Sequence, residues 1–334
     1  MNPKKKRILV ALTIAVAFLG TVALRNAEAQ ERKVVAKLAD ILSPDHPNNR
    51  TWVYFAEKVK EKTGGKLEIQ VFHSGQLGQQ KDLFLGMQAG NIQMAKMPFT
   101  IAAAWVPEAK IFDLPYLFFT RQEMWRVLRG PVGKKFFNEI YPKVGLVGIM
   151  NTDDGARSFY THKPVKKPED LKGLKIRVPA SEIMVQSINA MGAIGTSTSW
   201  AEVYMALQQK VIDGAENSPI TLFTSKHWEV CKVYSLTEHF WLPCPLLASK
   251  KWWDSLPNDI QSQVNAAGIE AEQYGLKIYA EDESKVMNQL KEKGVQIITD
   301  IDKPAFEKVV QPVYDAYIKQ QGKDLLDQIR TAKK

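Results

Sequence analysis

From Asn258 to Lys293 the chain contains no proline and only two glycines, Gly268 and Gly275. Pro257-Asn258-Asp259 is a helix-start signature, and each glycine lowers helix propensity only modestly. A helix of about 35 residues extends about 50 Å, more than the width of one small domain. The stretch therefore predicts a helix that crosses between two lobes. The chain before it alternates short apolar strands with helices. Val34–Ala39 reads as a strand and Pro44-Asp45-His46-Pro47 as a turn. Asn48–Lys62 carries Trp52, Phe55, Ala56 and Val59 at helical spacing and is stopped by Thr63-Gly64-Gly65. Leu67–Phe72 alternates as a strand, Asp82–Gln88 is a helix, and Ile92–Lys96, Leu146–Met150 and Leu174–Val178 are further strands. This alternation predicts an α/β fold with largely parallel sheets. No Pro/Ser/Gly-rich linker separates two halves, so the chain is expected to cross between the lobes several times. No internal repeat or low-complexity tract is present.

Composition narrows the function classes. Of 334 residues, 45% are hydrophobic and 24% charged, the mixture of a globular chain rather than a disordered, collagenous or multi-span membrane one. The formal charge is +9, but residues 1–29 hold five of the 45 basic residues and one of the 36 acidic ones, leaving +5 on the remainder. That excess is too small and too evenly spread to indicate nucleic acid. The two cysteines, Cys231 and Cys244, exclude a disulfide-dense scaffold and a four-thiolate zinc site. They read as small buried residues, with a disulfide as the alternative.

The N-terminus is ordered like a secretory signal peptide. Met1–Arg7 is basic, Ile8–Leu24 is an unbroken run of apolar, Gly or Thr residues, and Ala27-Glu28-Ala29 fits the small-x-small cleavage rule. An N-terminal membrane anchor is the competing reading, since the run approaches the shorter limit of a span. The cleavage triplet favours a signal peptide cut after Ala29 and a mature chain released into the bacterial periplasm.

No catalytic motif emerges. His46, His73, His162, His227 and His239 stand in no zinc-ligand spacing. There is no G-x-S-x-G elbow, no S-x-x-K, no Walker loop and no G-x-G-x-x-G. For an exported chain this favours a binding protein over an enzyme, with no cofactor expected.

Four stretches stand out: Asp154–Tyr160 (DGARSFY), Pro168–Pro179 (PEDLKGLKIRVP), Trp200–Gln208 (WAEVYMALQ) and Val211–Pro219 (VIDGAENSP). Together they resemble the DctP family of solute receptors from tripartite ATP-independent periplasmic (TRAP) transporters. Phe72–Gly78 (FHSGQLG) is similar to that family's early Gly-Gln-Leu-Gly loop, and Phe112–Phe118 (FDLPYLF) to its Leu-Pro-Phe-Leu-Phe segment. The resemblance runs in order from about residue 33 to 330. It implies a two-lobed periplasmic solute-binding protein with crossing hinge strands and a long helix spanning both lobes. On this reading lobe I is 30–154 plus 243–282 and lobe II is 155–242 plus 283–334.

Arg177 is the first candidate for ligand binding. In Leu174–Val178 the residues Leu174, Ile176 and Val178 share one face, and Lys175 and Arg177 the other. Taken alone, such an Arg is most often solvated. The resemblance instead implies that it binds a substrate carboxylate, which its planar fork can meet with two parallel hydrogen bonds. Arg157 reads alone as a surface loop charge and by resemblance as a second cation near the ligand, although Ala156 replaces a frequent aromatic. Asn217, before Ser218-Pro219, reads alone as a turn or cap residue and by resemblance as a ligand-contacting amide. Glu216 is assigned to the same set, with pairing to an Arg as its alternative. Trp200 reads as core alone and as a cover over the ligand by resemblance. Tyr116 is a candidate for the opposite wall, with Phe99 and Trp241 weaker and Tyr204 core or peripheral.

The expected mechanism is capture of an organic acid between lobes that close around it. The closed form would then dock on the small and large TRAP membrane subunits. C4-dicarboxylates, 2-oxo acids, sugar acids and aromatic acids all present a carboxylate to such an Arg. The alternatives are a receptor for a neutral or amide solute serving a sensor, a periplasmic hydrolase with a dispersed site, and a metal-assisted receptor using Glu216 and Asp213.

Overall fold

The computed structural model describes residues 33–334, so the leader and the cleavage expected after Ala29 lie outside it. Before residue 153 the strands are β1 (Val34–Ala39), β2 (Leu67–Phe72), β3 (Met94–Lys96) and β4 (Leu146–Thr152). Then come β5 (Ala156–Thr161), β6 (Lys175–Val178), β7 (Ile194–Ser197), β8 (Gly214–Asn217) and β9 (Val233–Trp241). The last are β10 (Cys244–Ser249) and β11 (Gln296–Ile298). They form a five-stranded sheet, β2-β1-β3-β10-β4, and a six-stranded sheet, β11-β9-β5-β8-β6-β7. Each sheet is the centre of one lobe.

Both sheets are mixed, not largely parallel. β1 runs parallel to β2 and β3, while β10 is antiparallel to β3 and β4. In the second sheet β6 is parallel to β7 and β8, but β5 is antiparallel to β8 and β9. The cause is connectivity. β4 passes into β5 through residues 153–155, and β9 into β10 through residues 242–243, each step changing sheet. A strand that arrives from the other lobe runs against its new neighbours. The first crossing is tight. Gly155 has φ +69°, and a Cβ there would stand 2.6 Å from the Tyr279 hydroxyl. Glycine is required both by conformation and by the approach of the long helix.

That helix spans Asn258–Glu292, 35 residues, and joins both lobes. Val264, Ala267 and Ala271 pack in the first lobe with Trp52, Phe55 and Leu246. Tyr279, Val286 and Leu290 pack in the second with Tyr160, Leu207 and Tyr234. The two glycines have a packing role. A Cβ on Gly275 would lie 2.8 Å from Thr51 Oγ1 on helix Pro47–Lys62, and one on Gly268 would lie 3.4 Å from Ile149 on β4. Their modest propensity cost is offset by close approach of the helix to its neighbours.

The C-terminal helices bridge the lobes. Gln311–Gln321 packs on Glu182–Ala190 of the second lobe, and Asp324–Ala332 on Arg121–Arg129 of the first. Cys231 and Cys244 are both buried and unpaired as thiols.

Candidate functional site

Ligands of open α/β sheets bind beyond the carboxyl ends of the strands. Here the ends of β3, β6 and β8 and the β4–β5 crossing converge on the cleft between the lobes. Lys96, Asp154, Arg177 and Asn217 stand at those points, and all four line one hollow of about 550 Å³ of empty space. The hollow continues outward into a larger one that shares Arg177, Pro179, Trp200, Gln80 and Ile101.

Arg177 is only 4% exposed although it carries a full charge. Strand alternation turns it away from Ile176 and Val178, which fill the second lobe's core. Its Nε and Nη2 both donate to the Thr198 carbonyl, at 2.9 and 2.7 Å. The guanidinium lies 5.5 Å from the Trp200 ring, a cation–π contact. Burial lowers its pKa to about 10, still protonated at neutral pH. Among the described residues it forms no salt bridge. Of its five N–H donors two point at Thr198, and Nη1 has no partner among the described residues.

Arg157 is similarly buried and lines the same hollow, but its charge is matched by a carboxylate. It sits on β5, not on a surface loop, and contacts the carboxylate of Glu216 on β8. Nη2 also reaches the Glu216 carbonyl at 2.9 Å, and Nη1 donates to Asn217 Oδ1 at 2.9 Å. Asn217 Oδ1 also accepts from the Ser218 backbone N–H at 2.9 Å. Two donors on one oxygen fix the amide orientation, leaving Nδ2 beside the cleft without a partner among the described residues. Ser218 then caps helix Pro219–Thr224, so the turn residue and the cleft amide are the same Asn.

The other expected residues separate. Glu216 is fully buried, pairs with Arg157 and does not line the cleft. Tyr116 does not reach the cleft either. Its backbone turns through φ +57°, its hydroxyl donates to the Thr237 carbonyl at 3.3 Å, and it faces a different hollow beside Tyr314 and Lys333. Phe99 is core, packed on Phe112 and Phe136. Trp241 lies under Arg121, and Tyr204 donates to Glu229. Asp213 accepts from the Lys175 backbone and is not joined to Glu216. No group of three or more His, Cys, Asp or Glu suited to a metal exists among the described residues.

Sequence reasoning missed the first lobe's contribution. Lys96 Nζ donates to Asp154 Oδ2 at 2.6 Å, and both are buried. The pair keeps each group charged: Asp154 is brought down to about 2, chiefly by Lys96 against the opposing effect of burial. Asp40 lines the same wall, its carboxyl raised by burial. A charged residue ending a buried apolar strand was the available signal for Lys96. Its partner is 58 residues away in sequence, and nothing local points to it.

Two lobes enclosing a cleft, with a buried guanidinium that has no anionic partner among the described residues, are the arrangement of a receptor for a small solute. The profile of the bacterial extracellular solute-binding proteins of family 7, DctP, matches residues 38–321, and the chain belongs to that family. The C4-dicarboxylate-binding periplasmic protein DctP of Rhodobacter capsulatus is 30% identical over 331 residues, 98% of each chain. A TRAP periplasmic solute-binding protein from a Sulfitobacter species, solved with bound β-D-galacturonate, superposes with TM-score 0.86 at 33% identity, covering 89% of this chain and 99% of that one. One from Chromohalobacter salexigens with bound D-glucuronate gives 0.87 at 32%, again covering 89% and 99%. Members of the family are transport receptors, not enzymes.

Proposed function

We propose that this protein is a periplasmic receptor that captures a sugar acid through one carboxylate on Arg177 and delivers it to the small and large membrane subunits of a TRAP transporter. The observation that carries this is the charge balance of the cleft. Arg157 is matched by Glu216 and Lys96 by Asp154, so among the described residues Arg177 alone is a buried Arg or Lys without an anion. A buried, unneutralised charge is costly, and a ligand carboxylate removes that cost. Nη1 of Arg177 and Nδ2 of Asn217 supply donors, and Trp200 covers the guanidinium from the mouth. The uronates held by the Sulfitobacter and Chromohalobacter relatives support the choice of a sugar acid.

The two lobes close as the ligand joins their facing walls, with helix Asp324–Ala332 staying on the first lobe rather than moving with the rest of 283–334. The chain reaches its compartment through a leader cut after Ala29. The test is titration calorimetry with D-glucuronate and D-galacturonate. Arg177→Met should weaken binding at least about a hundredfold with the circular dichroism spectrum unchanged. Unchanged affinity, or tight binding of a neutral sugar, would reject the assignment.

A further inference from the structure

The first lobe's wall of the cleft holds buried charges that the carboxylate site does not use. Lys96 is 5% exposed and donates to Asp154. Asp154 is held from its other sides by Asn48 Nδ2 on Oδ1 and by the Cys244 thiol at 3.1 Å on Oδ2. An ammonium has three N–H donors, and among the described residues only the one to Asp154 has a partner. Two donors therefore remain on an almost fully buried side chain that lines the cleft. Beside it, Asp40 accepts from Trp52 Nε1 at 2.8 Å and from the Leu42 backbone at 3.0 Å, which leaves lone pairs on both oxygens.

Donors and acceptors thus stand side by side on a wall whose one positive charge is cancelled. Asp40 adds nothing positive to it, whichever form it takes. A hydroxyl group, which both donates and accepts, satisfies such a wall. A carboxylate only accepts, and there it would bring a charge that nothing compensates. We propose that Lys96, Asp154 and Asp40 form a hydroxyl-reading wall that selects polyhydroxylated monocarboxylates and rejects ligands with a second carboxylate. This rests on the reading that Arg177 takes the first carboxylate of a sugar acid. It makes Asp154, not only the arginine, the residue that decides between a sugar acid and a dicarboxylate.

The experiment is titration calorimetry with D-galacturonate, D-galactonate and galactarate, the last having a carboxylate at both ends. The reference is whichever monoacid binds more tightly. Wild type should bind galactarate at least about a hundredfold more weakly than the reference. Asp154→Asn frees the Lys96 charge, and the gap should narrow about tenfold or more. Lys96→Gln should weaken the reference acid without any gain for galactarate. The wild-type comparison requires no variant to fold. Equal binding of galactarate by wild type, or an unchanged gap in a folded Asp154→Asn protein, overturns the wall while leaving the Arg177 assignment intact. Failure of both monoacids to bind wild type overturns the sugar-acid reading and the wall together.

Discussion

Arg157 meets the Glu216 carboxylate at two points, Nε on Oε2 at 2.6 Å and Nη2 on Oε1 at 2.7 Å. Glu216 on β8 stands opposite Phe159 of β5, so Arg157, two residues earlier on β5, reaches it diagonally across the neighbouring strands. This pairing removes Arg157 from the pool of free charge and leaves Arg177, one strand further on, as the buried cation with no anion among the described residues, which is why we propose it as the anion site.

Glu216→Leu should therefore destabilise the protein by about 3–5 kcal/mol, because it strands a second buried guanidinium. Arg157→Met should cost a similar amount by stranding the carboxylate. The double replacement Arg157→Met/Glu216→Leu should recover most of the loss. Urea unfolding of the four proteins measures the coupling; additive losses would show that the pair is not a unit.

Arg177 should behave in the opposite way without ligand. Its burial is not compensated within the protein, so Arg177→Met should leave the ligand-free thermal midpoint no lower than wild type, and the stabilisation by added sugar acid should vanish. Differential scanning fluorimetry with and without D-galacturonate separates the two effects. A ligand-free midpoint several degrees lower would mark Arg177 as a structural residue.

Acid sensitivity follows from three buried histidines. Burial lowers His46 and His227 to about 3, and His239 well below its ordinary value. The unfolded chain protonates them near pH 6.5 and the folded chain does not, so below that pH the unfolded state binds more protons and stability falls. His46 and His227 should each cost about 2 kcal/mol at pH 5 relative to pH 7.5, and His239 adds in the same direction. Asp113 works the other way: burial raises it to about 6, so it stabilises below that pH and loses this effect as pH rises. Its offset at pH 5 is about 1 kcal/mol, and the net slope is still a loss of stability on acidification. His46→Asn keeps a capping residue for helix Pro47–Lys62 and should flatten the slope by about one proton. Thermal midpoints from pH 7.5 to 5 test this; a flat wild-type profile would refute it.

The strands and the long helix were legible because they are local. Val34–Ala39 and Leu67–Phe72 end where hydrophobic alternation ends, and the breaker-free run after Pro257 is one helix. Arg177 could be placed on the polar side of its strand by alternation, but its lack of an anionic partner is a tertiary fact. The mixed sheets were not legible, since strand direction depends on which lobe the chain has just left. Tyr116 was misplaced because a left-handed backbone at a non-glycine residue redirects its side chain. Lys96 and Asp154 were missed as a pair because complementary charges distant in sequence leave no spacing to read.

One residue touches both strand crossings and the long helix where they pass between the lobes. Arg121, at the start of helix Arg121–Arg129, donates to Asp153 in the first crossing and, at 2.6 Å, to Glu283 on the long helix. The same guanidinium lies 5.8 Å from the ring of Trp241, which ends β9 at the second crossing, and 5.7 Å from Tyr279 of the long helix. Arg121→Met removes both hydrogen-bonded ion pairs and leaves Asp153 buried without its cation. The ligand-free lobes should then sample open arrangements more widely. Small-angle scattering should give a larger ligand-free radius of gyration with the ligand-bound value unchanged. If the loosened hinge adds about 1 kcal/mol to closure, affinity should fall about fivefold, far less than for Arg177→Met. Scattering profiles identical to wild type in both states would show that Arg121 supports the fold without setting the hinge.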